Sequence, residues 1–295
     1  MAWDPARGVF VLYGGRDRNW ELLSTTWEWF PNSHAWRLVA DAARQNPGPR
    51  MSHAMVWDAA RERMILFGGT DLDRSFDDTW AFDGSASRWV RLDTTGDPPP
   101  RSQHGMVHDP ATDQVIVFGG RGTNSQPYQD TWLLNLDTLE WIQHAPTEGA
   151  PHPRARDHVQ MVRDSLSDII VMCGRSLGDE LAGETWQFDA HARRWRMVTT
   201  DQEPPAMDHG FLCSVERLGG LALFGFGGDE PQTWVYRPQA ETWTLLEGKG
   251  EQPDFPMDHG QAASDGQHLF VLGGFGGENV PQDAGLTPRG AMWRF

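Results

Sequence analysis

The chain has 295 residues, 39% of them hydrophobic, and a formal net charge of −16. That charge repels nucleic acid and anionic membranes at long range, so both are excluded as partners and cationic or neutral ones are favoured. Gly (32) and Pro (20) fall at regular places, which marks many short strands and turns rather than disorder.

The elements follow one another as a repeat. Tryptophans stand in pairs nine apart: Trp27/Trp36, Trp80/Trp89, Trp132/Trp141, Trp186/Trp195 and Trp234/Trp243, with Trp293 unpaired. Unit 1 begins inside its first strand, because Asp4 aligns with Asp58. Its apolar run ends at Gly14-Gly15. Unit 2 is the fullest, with segments HAMVWD (53–58), RMILFGG (63–69), DTWAFD (78–83) and RWVRL (88–92). Aromatic and β-branched residues fill these segments and turn residues fill the gaps, so each unit reads as four short strands. Unit 3 repeats the pattern with Gly119-Gly120. Units 4 and 5 are degenerate at the glycines, with Cys173-Gly174 and Gly225-Phe226. Unit 6 has Gly273-Gly274 and ends in AMWRF (291–295), a third strand with no fourth after it.

One such unit cannot bury its own faces, whereas stacked units bury them against neighbours. The paired tryptophans are read as core. Each hides about 150–250 Å², worth on the order of 4–6 kcal/mol as an upper bound. No GxxxxGK[ST] occurs and no helical pattern follows any Gly pair, so the glycines are not a phosphate loop. Cys173 and Cys213 sit in apolar runs and are expected as buried free thiols. No apolar run offers a membrane span. The opening MAWDPARG lacks a basic and an apolar leader region, which gives a cytoplasmic expectation.

A period near 50 residues, a Gly pair after an apolar strand and a Trp about twenty residues later make the chain resemble the kelch-repeat family over essentially its whole length. The resemblance implies an all-β, six-bladed kelch-type β-propeller of four-stranded antiparallel blades. Residues 1–295 would form a single propeller, incomplete at both ends. The approximate blades are 1–46, 47–96, 97–148, 149–202, 203–251 and 252–295. Kelch propellers serve as adaptors, actin binders and, less often, enzymes, so the resemblance specifies fold more than function.

Binding is expected where the loops after strand two meet the blade-to-blade loops, at one mouth of the channel. The last of these loops, FGGENVPQDAGLTPRGA (275–291), is a candidate flap. Five histidines (His53, His104, His158, His209, His259) recur at one repeat position, which suits a structural hydrogen bond to a neighbouring blade. The residues just before them, Ser52, Gln103, Asp157, Asp208 and Asp258, should line the mouth. Asp71, Asp229 and Glu278 add carboxylates, and Arg16, Arg121, Arg156 and Arg175 add cations. The mouth would thus be polarised, acidic toward blades 5 and 6 and more basic toward blades 1, 3 and 4. No cofactor is expected, although close carboxylates admit a divalent metal.

These features suit a monomeric interaction module that recognises a protein segment or a small polar ligand. The alternative is a pocket enzyme of lyase, isomerase (mutarotase) or cyclase type using the mouth carboxylates. The chain has no Glu/Asp/His loop like that of the iron-dependent lyases. Its tyrosines, Tyr13, Tyr128 and Tyr236, have no clear cysteine partner for copper-radical chemistry.

Overall fold

A computed structural model describes residues 1–17, 19–39, 45–173, 184–205, 208–227, 230–246, 261–272 and 293–294. The first sheet holds β1 (Ala2–Asp4), β2 (Val9–Tyr13), β3 (Thr26–Phe30) and β4 (Ala35–Val39). The second holds β5 (Ala54–Asp58), β6 (Arg63–Phe67), β7 (Thr79–Asp83) and β8 (Arg88–Leu92). The third holds β9 (Gly105–Asp109), β10 (Gln114–Phe118), β11 (Thr131–Asn135) and β12 (Glu140–His144). The fourth holds β13 (Gln160–Arg163), β14 (Ile170–Cys173), β15 (Thr185–Asp189) and β16 (Arg194–Val198). The fifth holds β17 (Asp208–Val215), β18 (Gly220–Gly227), β19 (Glu230–Arg237) and β20 (Thr242–Leu245). A three-stranded sheet, among the described residues, holds β21 (Gln261–Ser264), β22 (Leu269–Leu272) and β23 (Trp293–Arg294).

The strands of each sheet pair in sequence order, so five four-stranded antiparallel blades and a partial one make an all-β propeller of kelch type. The first blade is four-stranded, with an inner strand of three residues. Two compact units divide the chain, Met1–Val159 with Ala190–Arg194 and Gln160–Asp189 with Trp195–Phe295.

Within the first unit, second strands are buried on both faces: Phe10 and Val11, Ile65 and Leu66, and Ile116 and Val117 are all fully inaccessible. Continuous apolar runs are what a sheet covered on both sides demands. The tryptophan pairs divide their labour. The first member bonds two residues back in its own chain: Trp80 Nε1 to Asp78 Oδ2 at 2.7 Å, Trp132 Nε1 to Asp130 Oδ2 at 2.7 Å and Trp234 Nε1 to Gln232 Oε1 at 2.9 Å. The second member bonds the preceding blade: Trp89 Nε1 to Thr26 Oγ1 at 2.9 Å, and Trp243 Nε1 to Thr185 Oγ1 at 2.9 Å within the second unit. A buried indole N–H needs an acceptor, and the threonines that open β3 and β15 supply it to Trp89 and Trp243. Trp27, Trp36 and Trp132 are only partly buried, so these three are less completely core than their spacing suggests.

Cys173 and Cys213 are buried free thiols, and burial pushes the Cys213 thiol up to about 12. No helix among the described residues is long and apolar enough to cross a membrane.

Candidate functional site

The loop end of the first unit is built on three Gly pairs. Gly14 and Gly15 have φ of 62° and 91°, Gly68 and Gly69 have 67° and 99°, and Gly119 and Gly120 have 66° and 85°. Positive φ turns the chain off the sheet at little cost only for glycine. The second glycine of each pair then donates its N–H to an arginine carbonyl at 2.9 Å: Gly15 to Arg50, Gly69 to Arg101 and Gly120 to Arg156. A Cβ on Gly68 would lie 2.6 Å from the Arg101 carbonyl oxygen, so the close approach also excludes a side chain.

Two of these arginines, Arg50 and Arg101, reach forward with their side chains. Arg50 donates to the Gly68 carbonyl at 2.9 Å and to both oxygens of Asp78 at 2.6 and 3.0 Å, with its guanidinium 4.1 Å above the Phe76 ring. Arg101 donates to Gly119 at 3.0 Å and to Asp130 at 2.7 and 2.9 Å, above Tyr128 at 4.5 Å. Each residue therefore fixes one blade with its carbonyl and the next with its guanidinium. Burial works to raise the Asp130 carboxyl, but the hydrogen bonds and charge of Arg101 outweigh it and hold it below the usual range. A bidentate fork on a carboxylate explains why arginine stands here rather than lysine.

Two residues beyond each clamp arginine stand Ser52, Gln103 and His158, with φ of 55°, 57° and 50°. Their backbones are linked: the Gln103 N–H donates to the Ser52 carbonyl at 2.9 Å, and the Val159 N–H to the Gln103 carbonyl at 3.2 Å. Counted from the arginine carbonyl that each Gly pair meets, the sequence alignment shifts by one residue at the third of these loops. His158 occupies the place of Gln103, Asp157 that of Ser102, and Val159 that of His104. Recurrence of histidine therefore stops at His104 in this unit. Nor do His53 and His104 make the expected hydrogen bonds, since His53 Nδ1 and both His104 nitrogens have no partner. They pack edge-on to aromatics of the preceding blade, His53 on Tyr13 at 5.8 Å and His104 on Phe67 at 5.3 Å. Burial, with a smaller contribution from the Arg101 charge, pushes the His104 imidazole down to about 3 and keeps it neutral.

The arc Ser52–Gln103–His158 joins two of the residues expected at the mouth. His158 Nδ1 lies 3.1 Å from Asp157 Oδ1, and its Nε2 lies 2.7 Å from Gln103 Nε2. Arg121 approaches the other oxygen of Asp157 at 3.7 Å. The His158 hydrogen bond, with the charge of Arg121, outweighs burial and holds the Asp157 carboxyl below the usual range. An ionised Asp157 accepts from Nδ1–H, so Nε2 accepts from the Gln103 amide. These proton positions are assigned from the network.

The remaining expected residues are placed differently. Arg16 lies over Trp20 at 5.2 Å, within its own loop. Asp71 accepts the N–H groups of Asp73 and Arg74 at 3.2 and 2.9 Å and so shapes its own turn. Arg156 is fully buried, its carbonyl taken by Gly120 and its Nε donating to the Arg154 carbonyl at 3.2 Å. Asp208 opens β17. Arg175, Asp229, Asp258 and Glu278 lie outside the described residues, as does the candidate flap.

Residues 6–228 match the KLHDC2/KLHL20/DRC7 Kelch-repeats domain. The chain is 26% identical over 290 residues to Adagio-like protein 3 of Oryza sativa subsp. japonica, covering 91% of this chain and 45% of that protein. It is 32% identical over 146 residues to an F-box/kelch-repeat protein of Arabidopsis thaliana, covering 45% and 30%. It is 26% identical over 283 residues to the flagellar outer-arm dynein alpha chain of Chlamydomonas reinhardtii, covering 86% and 6%. The chain thus spans less than half the length of these relatives. The Gly pairs, the tryptophan pairs and the family match over residues 6–228 agree, and the chain belongs to the KLHDC2/KLHL20/DRC7 kelch-repeats family.

Proposed function

We propose that each of the six sheets is a propeller blade and that the protein is an interaction module. Its loop face would take a polar stretch of a partner protein. The observation that carries this reading is the arc Ser52–Gln103–His158. Three successive blades place a non-glycine residue with a hydrogen-bonding side chain at a left-handed φ. Such a backbone costs an L-residue about 1–2 kcal/mol, and glycine would hold the same turn more cheaply. A strained position occupied in every case by a polar side chain points to what that side chain does. Arg121 and Asp157 flank the arc with opposite charges, so one partner chain can meet donors, acceptors and both signs of charge.

The test is a peptide library displayed on phage and selected on the full chain. A triple variant, Ser52→Ala, Gln103→Ala and His158→Ala, is selected in parallel. A consensus enriched on the wild type and absent from the variant is expected. The same consensus recovered from both would overturn the assignment.

A further inference from the structure

A second cluster lies at the opposite end of the strands, where the first and second strands of each blade turn. Asp58 closes β5, His108 lies in β9, and Asp113 lies in the turn between β9 and β10. One donor atom from each lies within 4.8 Å of the other two. Asp58 and His108 are buried and Asp113 is partly exposed. His108 Nε2 lies 3.7 Å from Asp113 Oδ1, is shielded from solvent and has no hydrogen-bond partner. An imidazole nitrogen aimed at two carboxylates is the mixed donor set that borderline divalent ions take.

Arg61 now spans this cluster. It donates to Asp58 at 3.2 and 3.3 Å, to Asp113 at 3.1 and 2.7 Å, and also to Asp137. Its side chain is 25% exposed and that of Asp137 is 77% exposed, so the guanidinium can withdraw onto Asp137 in water. Asp58 would keep the Arg61 N–H at 3.2 Å and Arg63 Nε at 3.0 Å. Blade 1 provides the contrast. Its corner is Asp4, Arg7 and Glu28, with Arg7 bonded to Asp4 at 2.6 Å, to Glu28 at 2.5 Å and to the Gly84 carbonyl at 3.1 Å. Its two carboxylates are met by Arg7 and Arg37, with no imidazole among them.

We propose that Asp58, His108 and Asp113 form a site for a zinc-class divalent cation, with Arg61 as its displaceable stand-in. Bonds of about 2.1 Å in a tetrahedral site put ligands about 3.4 Å apart, so the three side chains close by roughly an ångström. His108 coordinates through the Nε2 lone pair with its proton on Nδ1. The two carboxylates balance the ion's charge, and water fills the fourth position. The ion would tie β5 to β9 as Arg61 does now. This site is independent of the recognition arc, and its test is independent as well.

Isothermal titration of chelator-treated full chain with zinc chloride decides it, with circular dichroism confirming that each variant is folded. The wild type should show a site that His108→Gln and Asp113→Asn both lose. Arg61→Gln should bind zinc at that site at least tenfold more tightly. Should His108→Gln not fold, the partly exposed Asp113→Asn carries the test alone. Equal zinc affinity and stoichiometry in wild type, His108→Gln and Asp113→Asn would overturn the proposal. So would an absence of zinc binding by both the wild type and Arg61→Gln.

Discussion

Blades 2 and 5 share one strand order and differ at one junction. In blade 2 the second strand stops at Phe67, because Gly68 and Gly69 turn away and the loop is clamped by the Arg101 carbonyl. In blade 5 the corresponding positions are Gly225 and Phe226, and the ladder continues: Gly225 pairs with Gln232, Phe226 with Pro231 and Gly227 with Glu230. Second and third strands of five residues become strands of eight. Gln232 stands where blade 2 has Asp78, and it accepts the indole N–H without an arginine. The comparison separates two devices. The tryptophan-to-threonine bond is common to both blades and holds neighbours together. The Gly pair and the arginine clamp end the ladder early and set the frame from which the Ser52–Gln103–His158 arc projects.

Breaking the clamp should have the largest effect. Arg101→Met leaves the half-buried Asp130 charge without its partner and should cost about 3–5 kcal/mol, read from urea unfolding. Gln232→Ala in blade 5 should cost under about 1.5 kcal/mol, because only a neutral hydrogen bond is lost. Similar costs at the two sites would erase the distinction.

Next in size is Gly68→Ala, which forces a side chain into a left-handed φ and against the Arg101 carbonyl. About 2–3 kcal/mol of destabilisation is expected from thermal or urea unfolding. Gly225→Ala, in a continuing ladder, should cost less than half as much.

A pH prediction follows from His104. Its imidazole titrates near 3 when folded and near 6.5 when unfolded. The unfolded chain therefore binds more protons between those values, and stability falls as pH drops below 6.5. Between pH 6.5 and 5 the loss should be about 1.7 kcal/mol. In His104→Val, which copies the residue found at Val159, this component of the pH slope should vanish. An unchanged slope would show that His104 is not buried as described.

The smallest effect should be the same in both blades. Trp89→Phe and Trp243→Phe each lose one hydrogen bond to a threonine and should each cost about 1–2 kcal/mol. A large difference between them would mean that the tryptophan bond is not the shared device.

Strands, tryptophan pairs and Gly pairs were legible in the sequence because each is a local pattern with a fixed period. The arginine clamp was not, because its parts lie far apart: Arg50 and Asp78 are separated by 28 residues and Arg101 and Asp130 by 29. A signal was nevertheless present. Arg50 and Arg101 each stand 18 residues before a Gly pair, and Arg156 stands 18 before Gly174. Counting from the glycines would have placed His158 at the Gln103 position. The histidines are one residue out of register there, because His158 stands at the place neighbouring that of His104. Asp157, expected in the place of Gln103, stands one position earlier in the register, 3.7 Å from Arg121. Arg156 could not be told from Arg154 by charge alone. Only the fold shows that one of them is enclosed.

The most direct test of the recognition reading is an affinity scan with a peptide selected on the wild-type chain. Single alanine variants at Ser52, Gln103 and His158 are compared with Leu38→Ser and Ile142→Ser, two exposed residues on outer strands. Affinity should fall at least tenfold for Gln103→Ala and His158→Ala and stay within twofold for the outer-strand variants. Loss of binding at Leu38 or Ile142 with none at the arc would contradict the account.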